Sequence, residues 1–124
     1  MNHPAAISAY RAAIRTTPPL RAVVLLYDEV IRRTARAAAA ARRRDFEAQY
    51  NEVMYAARIL NGLNGCLDMD QGGKVAVSLR EMYQAVTTAL LGSVGRPYGA
   101  EACDRLVEAV KVTRDAWADV AGMA

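Results

Sequence analysis

The sequence predicts an all-α protein, an antiparallel up-down four-helix bundle preceded by a short N-terminal helical segment. Three observations predict it. Apolar residues recur at three- and four-residue spacing through four segments of about 20 residues, the pattern of helices with a greasy face. The segments are parted by short breaks rich in Gly, Pro or Asp. The composition is dominated by strong helix formers, Ala above all, with 4 prolines in 124 residues. At about 1.5 Å per residue each segment is near 30 Å long, and short connections between such helices force neighbours to run antiparallel.

The first long segment spans about residues 20–43. Leu20, Val23, Val24, Tyr27, Val30, Ile31, Thr34, Ala35 and Ala38 mark its apolar face. The preceding "TTPP" is a start signal: Thr16 or Thr17 can cap, and Pro18 or Pro19 suits the first turn. Its end, "ARAAAAARRR", places Arg42, Arg43 and Arg44 at the negative end of the helix dipole. The second segment runs from Asp45, an N-cap candidate, to about Leu67. Phe46, Tyr50, Val53, Ala57, Leu60 and Leu67 mark one face, and Tyr55, Ile59, Leu63 and Cys66 another. A helix apolar on two sides needs two neighbours, so it sits inward or carries a binding groove. The third segment, about residues 73–91, turns Val75, Leu79, Met82, Val86 and Leu90 inward. The break "GSVGRPYG" follows. The fourth, about residues 100–120, uses Cys103, Leu106, Val110, Thr113, Trp117 and Val120. Ahead of all four, residues 4–15 place Ile7, Tyr10 and Ile14 on one side of a helix too short to stand alone. It must dock on the bundle, and what docks can undock. The chain length fits a single domain, residues 1–124, with residues 1–17 as a cap segment and 18–122 as the bundle.

Composition and motifs exclude most chemistry. With 53% hydrophobic residues the chain is globular rather than disordered. It has no membrane span, since no run approaches about 18 apolar residues. The N-terminus has no apolar core of a signal peptide, so a cytoplasmic location is expected. Cys66 and Cys103 belong to no CxxC pair and read as small apolar residues. The sole histidine, His3, leaves no partner set for a metal centre or a nucleophile pair, so neither enzyme activity, metal nor cofactor is expected. The net charge of +3 is split: residues 1–44 carry +7 and residues 45–124 carry −4. The arginine run faces acidic Asp45 and Glu47 and lies on no reading helix, so nucleic acid is not an expected partner.

The stretch "CLDMDQGGKV", Cys66 to Val75, resembles a ligand loop at first sight. As a calcium loop it puts Gly72 at the fifth position and Leu79 at the twelfth, where an oxygen ligand and a bidentate Glu belong. As a phosphate loop it lacks the Lys-Ser/Thr ending. It reads as a structural turn built on Asp68, Gly72 and Gly73, with Asp70 near the next helix start. What remains is helical surface without chemistry, which points to groove recognition of another helix or an unfolded segment.

Three ordered stretches resemble the FliS family of flagellar export chaperones. "AYRAAIRTTPPLRAVVLLYDEVI" is similar to the family's N-terminal tyrosine, Thr before Pro, and Leu-Tyr-Asp, here Tyr10, Thr16, Pro19, Leu26, Tyr27 and Asp28. "LNGLNGCLDMDQGGKVAVSL" resembles its Leu-Asp followed by Gly-Gly. "LREMYQAV" resembles its Leu-x-x-Leu-Tyr, with Met82 and Tyr83 in the last places, and Trp117 fits the C-terminal helix. Where the family often has Asp-Gly-Ala, this chain has Asp28-Glu29-Val30. The resemblance implies a cytoplasmic chaperone that binds the disordered C-terminal segment of flagellin and delivers it to the flagellar export apparatus. It implies that the N-terminal segment covers part of the client groove. Expected partner-binding residues are Ile7, Tyr10, Leu20, Val24, Tyr27, Asp28, Ile31, Tyr55 and Ile59. The rival reading is a scaffold or regulatory bundle without an unfolded client. Self-association into a homodimer stays open in either case.

Overall fold

The computed structural model describes residues 4–14 and 19–123. Five helices follow one another: α1 (Pro4–Ala12), α2 (Leu20–Arg42), α3 (Phe46–Gly65), α4 (Gly73–Ser93) and α5 (Gly99–Val120). Helix α2 packs against α3 and α5, α4 closes the ring by packing on the same two, and α1 lies on α5. Cross-helix bonds set the directions. Asp28, early in α2, binds Arg114, late in α5, while Arg42 at the end of α2 binds Asp104 near the start of α5. Gln49 at the start of α3 bonds Ser93 at the end of α4. Neighbours therefore run antiparallel, as the short connections require.

Helix ends follow from local chemistry. Asp45 caps α3 by accepting a hydrogen bond from the Ala48 N–H at 3.1 Å. Pro19, extended at φ −56° and ψ 138°, is the residue before α2; Thr16, Thr17 and Pro18, as well as His3, lie outside the described residues. Helices α2 and α5 end alike. In α5 Gly122 takes φ +74°, with Gly122 N–H on the Asp119 carbonyl and Met123 N–H on that of Ala118. In α2 the same pair of bonds, Arg44 to Ala41 and Asp45 to Ala40, is made with Arg44 at φ +59°. An arginine thus holds the left-handed position where glycine is usual, at a cost of about 1 kcal/mol.

Trp117, Tyr27, Leu60, Leu90, Val24, Val30, Val53 and Val110 form the largest part of the fully buried interior. The inner faces differ from the sequence expectation in places. Ala35 is exposed, and Ala37 and Ala40 face inward beside the expected Ala38. In α4 the interior takes Ala76 and Tyr83, with Val75 and Met82 half-buried beside it. In α5 it takes Val107 and Ala118, with Leu106 half-buried and Thr113 at the margin. In α4 and α5 the shifts are of one residue, between adjacent positions that can both pack on apolar neighbours. Tyr50 and Tyr55 on α3 are exposed.

The two ends of the bundle are built differently. At the end holding the α2–α3 and α4–α5 connections, the buried Gln49 donates from Nε2 to the Ser93 carbonyl at 3.2 Å and accepts from the Gly95 N–H at 3.2 Å. Gly99 fits under this lock because a Cβ there would stand 2.5 Å from the Ser93 carbonyl oxygen. At the opposite end lie the α3–α4 connection, α1 and Trp117.

Candidate partner-binding groove

At that second end the wall of α2 carries Ala22, Val23 and Leu26, and the wall of α3 carries Ile59, Gly62 and Leu63, continued by Cys66 just past its end. Ile14 and Leu67 close the side, and Tyr83 and Trp117 lie at the floor. The space between is about 350 Å³ and nearly all apolar, the size of a pocket that takes a few side chains. It exists because Ala22 and Gly62 contribute almost no side chain. A Cβ on Gly62 would meet nothing within 4 Å.

The floor is an aromatic cluster. The Tyr27 and Tyr83 hydroxyls hydrogen-bond each other in the interior. Burial raises the Tyr27 pKa well above its usual value, and the neighbouring Tyr83 adds to the rise. Burial also pushes Tyr83 up to about 12. Both phenols therefore stay protonated through the neutral range. Trp117 packs on both Tyr27, at 6.2 Å between ring centroids, and Tyr10, edge-on at 4.4 Å. Its indole N–H is buried without a hydrogen bond of ordinary geometry, although it lies close enough to the Tyr27 hydroxyl to offset part of that phenol's rise.

Helix α1 is laid over this end. None of its residues is fully buried, and Ile7 and Tyr10 are half-buried against the core. After α1, Ala13 is fully buried, its carbonyl accepts from the Asp68 N–H at 2.9 Å, and Ile14 pairs with Leu67 in an isolated antiparallel β-bridge. The turn itself is held by Asp68, whose Oδ1 accepts from the N–H groups of Asp70 at 3.1 Å and Gln71 at 3.0 Å. Gly73 takes φ +54° at the start of α4. Gly72 does not need a left-handed backbone, having φ −80°. It needs to be small: a Cβ there would stand 2.9 Å from Ala13 Cα and 2.5 Å from the Asp68 carbonyl oxygen.

The residues expected to meet a partner divide into three groups. Ile59 lines the groove, and Ile7 and Tyr10 belong to the segment beside it. Leu20, Val24 and Tyr27 are interior, at 7%, 0% and 0% exposure, and touch no partner in this conformation. Asp28 is held by Arg114 Nε at 2.8 Å, Ile31 is half-buried against the core, and Tyr55 lies under the Arg33 guanidinium at 3.9 Å. Glu29 is not idle surface: it bonds Arg33 at 2.8 Å and also Arg32, which pulls its carboxyl below the usual range. The groove residues that pattern reading passes over are Ala22, Gly62 and the rim residue Leu26, which is 42% exposed. The available signal was a small residue on each of two facing apolar helices.

Among the described residues no group of His, Cys, Asp and Glu could hold a metal, and no helix is long and apolar enough to cross a membrane. Fold and groove together define a small antiparallel helical bundle that offers an apolar cleft with its own N-terminal segment laid beside it. The sequence model of the family described as "Flagellar protein FliS" matches residues 1–124. The chain belongs to the FliS family, a family of flagellar export chaperones. No curated protein matches the chain.

Proposed function

We propose that this protein is a cytoplasmic chaperone that holds the disordered C-terminal segment of flagellin in the α2–α3 groove, prevents its premature polymerisation and delivers it to the flagellar export apparatus. The observation that carries the proposal is the unfilled apolar groove of about 350 Å³ beside a weakly buried helix, in a chain of this family. The whole chain acts as one domain, with residues 1–17 as a cap and residues 18–122 as the bundle. Binding orders the client, a cost in conformational entropy offset by apolar burial at about 25 cal/mol per Å². Residues 4–14 move aside to extend the surface.

Titration with a flagellin C-terminal peptide tests this. Saturable binding at about micromolar Kd or tighter supports it. Absence of binding, with self-association in sedimentation, supports the scaffold reading instead. Gly62→Leu adds a second arm. Filling the groove weakens the peptide about tenfold or more, equivalent to 1.4 kcal/mol, while the helix itself gains up to about 1 kcal/mol.

A further inference from the structure

The connection between α3 and α4 has a second role besides reversing the chain. Its Asp68 side chain is engaged within the turn, through Asp70 and Gln71, while its backbone N–H points at another segment and donates to the Ala13 carbonyl. Next to it Leu67 pairs with Ile14 as one rung of an antiparallel ladder. Gly72 leaves the backbone of Ala13 room to approach. Nothing in this arrangement reads the identity of Ala13 or Ile14 beyond size and apolarity. A backbone edge that pairs with an extended segment beside an apolar pocket is how strand-addition sites are built: main-chain bonds hold the segment and the pocket selects the alternate side chain. The present occupant fills the backbone positions, Ala13 being fully buried, but not the hollow. Its Ile14 lines the groove, yet about 350 Å³ stays unfilled, and the helix that delivers it has no fully buried residue.

We propose that the Leu67–Asp68 edge is a strand-addition subsite for the client, occupied in the free protein by Ala13–Ile14. An extended stretch of the client replaces these two residues. It places a carbonyl on the Asp68 N–H, a small residue against Gly72 and an aliphatic side chain in the groove where Ile14 stands. The client stretch must therefore pair a small residue with an aliphatic one in extended conformation, while its flanks are free to be helical. This inference rests on the chaperone reading and adds to it the binding mode at one place.

The test uses the full chain, isotopically labelled, with an unlabelled flagellin C-terminal fragment, followed by NMR. At saturation the Ile14–Leu67 cross-peaks are lost, client–Leu67 cross-peaks replace them, and the Asp68 amide remains slow to exchange with solvent. Binding with the Ile14–Leu67 cross-peaks intact overturns the subsite and leaves the chaperone reading standing. So does binding in which Asp68 becomes fast to exchange without contact to the client. Failure of the fragment to bind at all overturns both.

Discussion

The two ends of the bundle solve the same problem in opposite ways. Both must close off the interior where helices stop and backbone groups lose their partners. The Gln49 end does so with a buried amide that clamps the Ser93 carbonyl and the Gly95 N–H, over a glycine that permits no side chain. The Trp117 end does so with aromatic rings, a hollow and a short helix of which no residue is fully buried. A polar lock is directional and costs free energy when half broken. An apolar contact is non-directional and can be exchanged for another of similar area. On the proposed function, the polar end stays fixed and the apolar end exchanges its contacts when the client binds.

The largest way to break this comparison is Trp117→Ala. It removes the ring that joins α1 to the core and costs about 3–5 kcal/mol of stability by denaturant titration. Next comes alkali. The Tyr27 and Tyr83 pKa values are raised in the folded state, the latter from 10.0 to about 12. Their protonated forms favour the fold, so this contribution is fully present below pH 10.0 and is lost as pH rises toward and through about 12. Unfolding followed by tyrosinate absorbance checks it, and Tyr83→Phe reduces the dependence. Gln49→Leu sharpens the comparison from the other side. It costs about 1–3 kcal/mol by leaving the Gly95 N–H and part of the Ser93 carbonyl unpaired, with client affinity unchanged. The smallest effect is at Arg44→Gly, which relieves the positive φ and raises stability by roughly 0.5–1 kcal/mol, less the stacking of Arg44 on Phe46.

Most of the helical frame was legible because apolar spacing and Gly/Pro breaks are local signals. Asp45 as a cap and the breaks at Gly72–Gly73 and Gly92–Gly99 place the ends within a few residues. The inner faces of α4 and α5 were less legible. Val75 and Ala76, Met82 and Tyr83, Leu106 and Val107 are adjacent apolar pairs, and spacing alone does not choose within a pair. The end of α2 was legible to within a residue from the arginine run and Asp45, but its left-handed residue was not, being Arg44 rather than a glycine. The groove was legible only as a second apolar face on α3. Its hollow comes from side chains that are missing, at Ala22 and Gly62, whereas pattern reading counts those that are present. The turn shows the same limit. Two glycines suggest backbone freedom, yet Gly72 is needed for the space it leaves to Ala13.

In the proposed function one end of the bundle exchanges its contacts while the other keeps them. Amide hydrogen exchange of the full chain, with and without a flagellin C-terminal fragment, measures this most directly. On binding, residues 4–12 are expected to lose protection, the α2 and α3 amides around Leu26 and Ile59 to gain it, and the amides around Gln49 and Gly95 to stay unchanged. Bound client with α1 still fully protected, or with the Gln49 end altered instead, would contradict it.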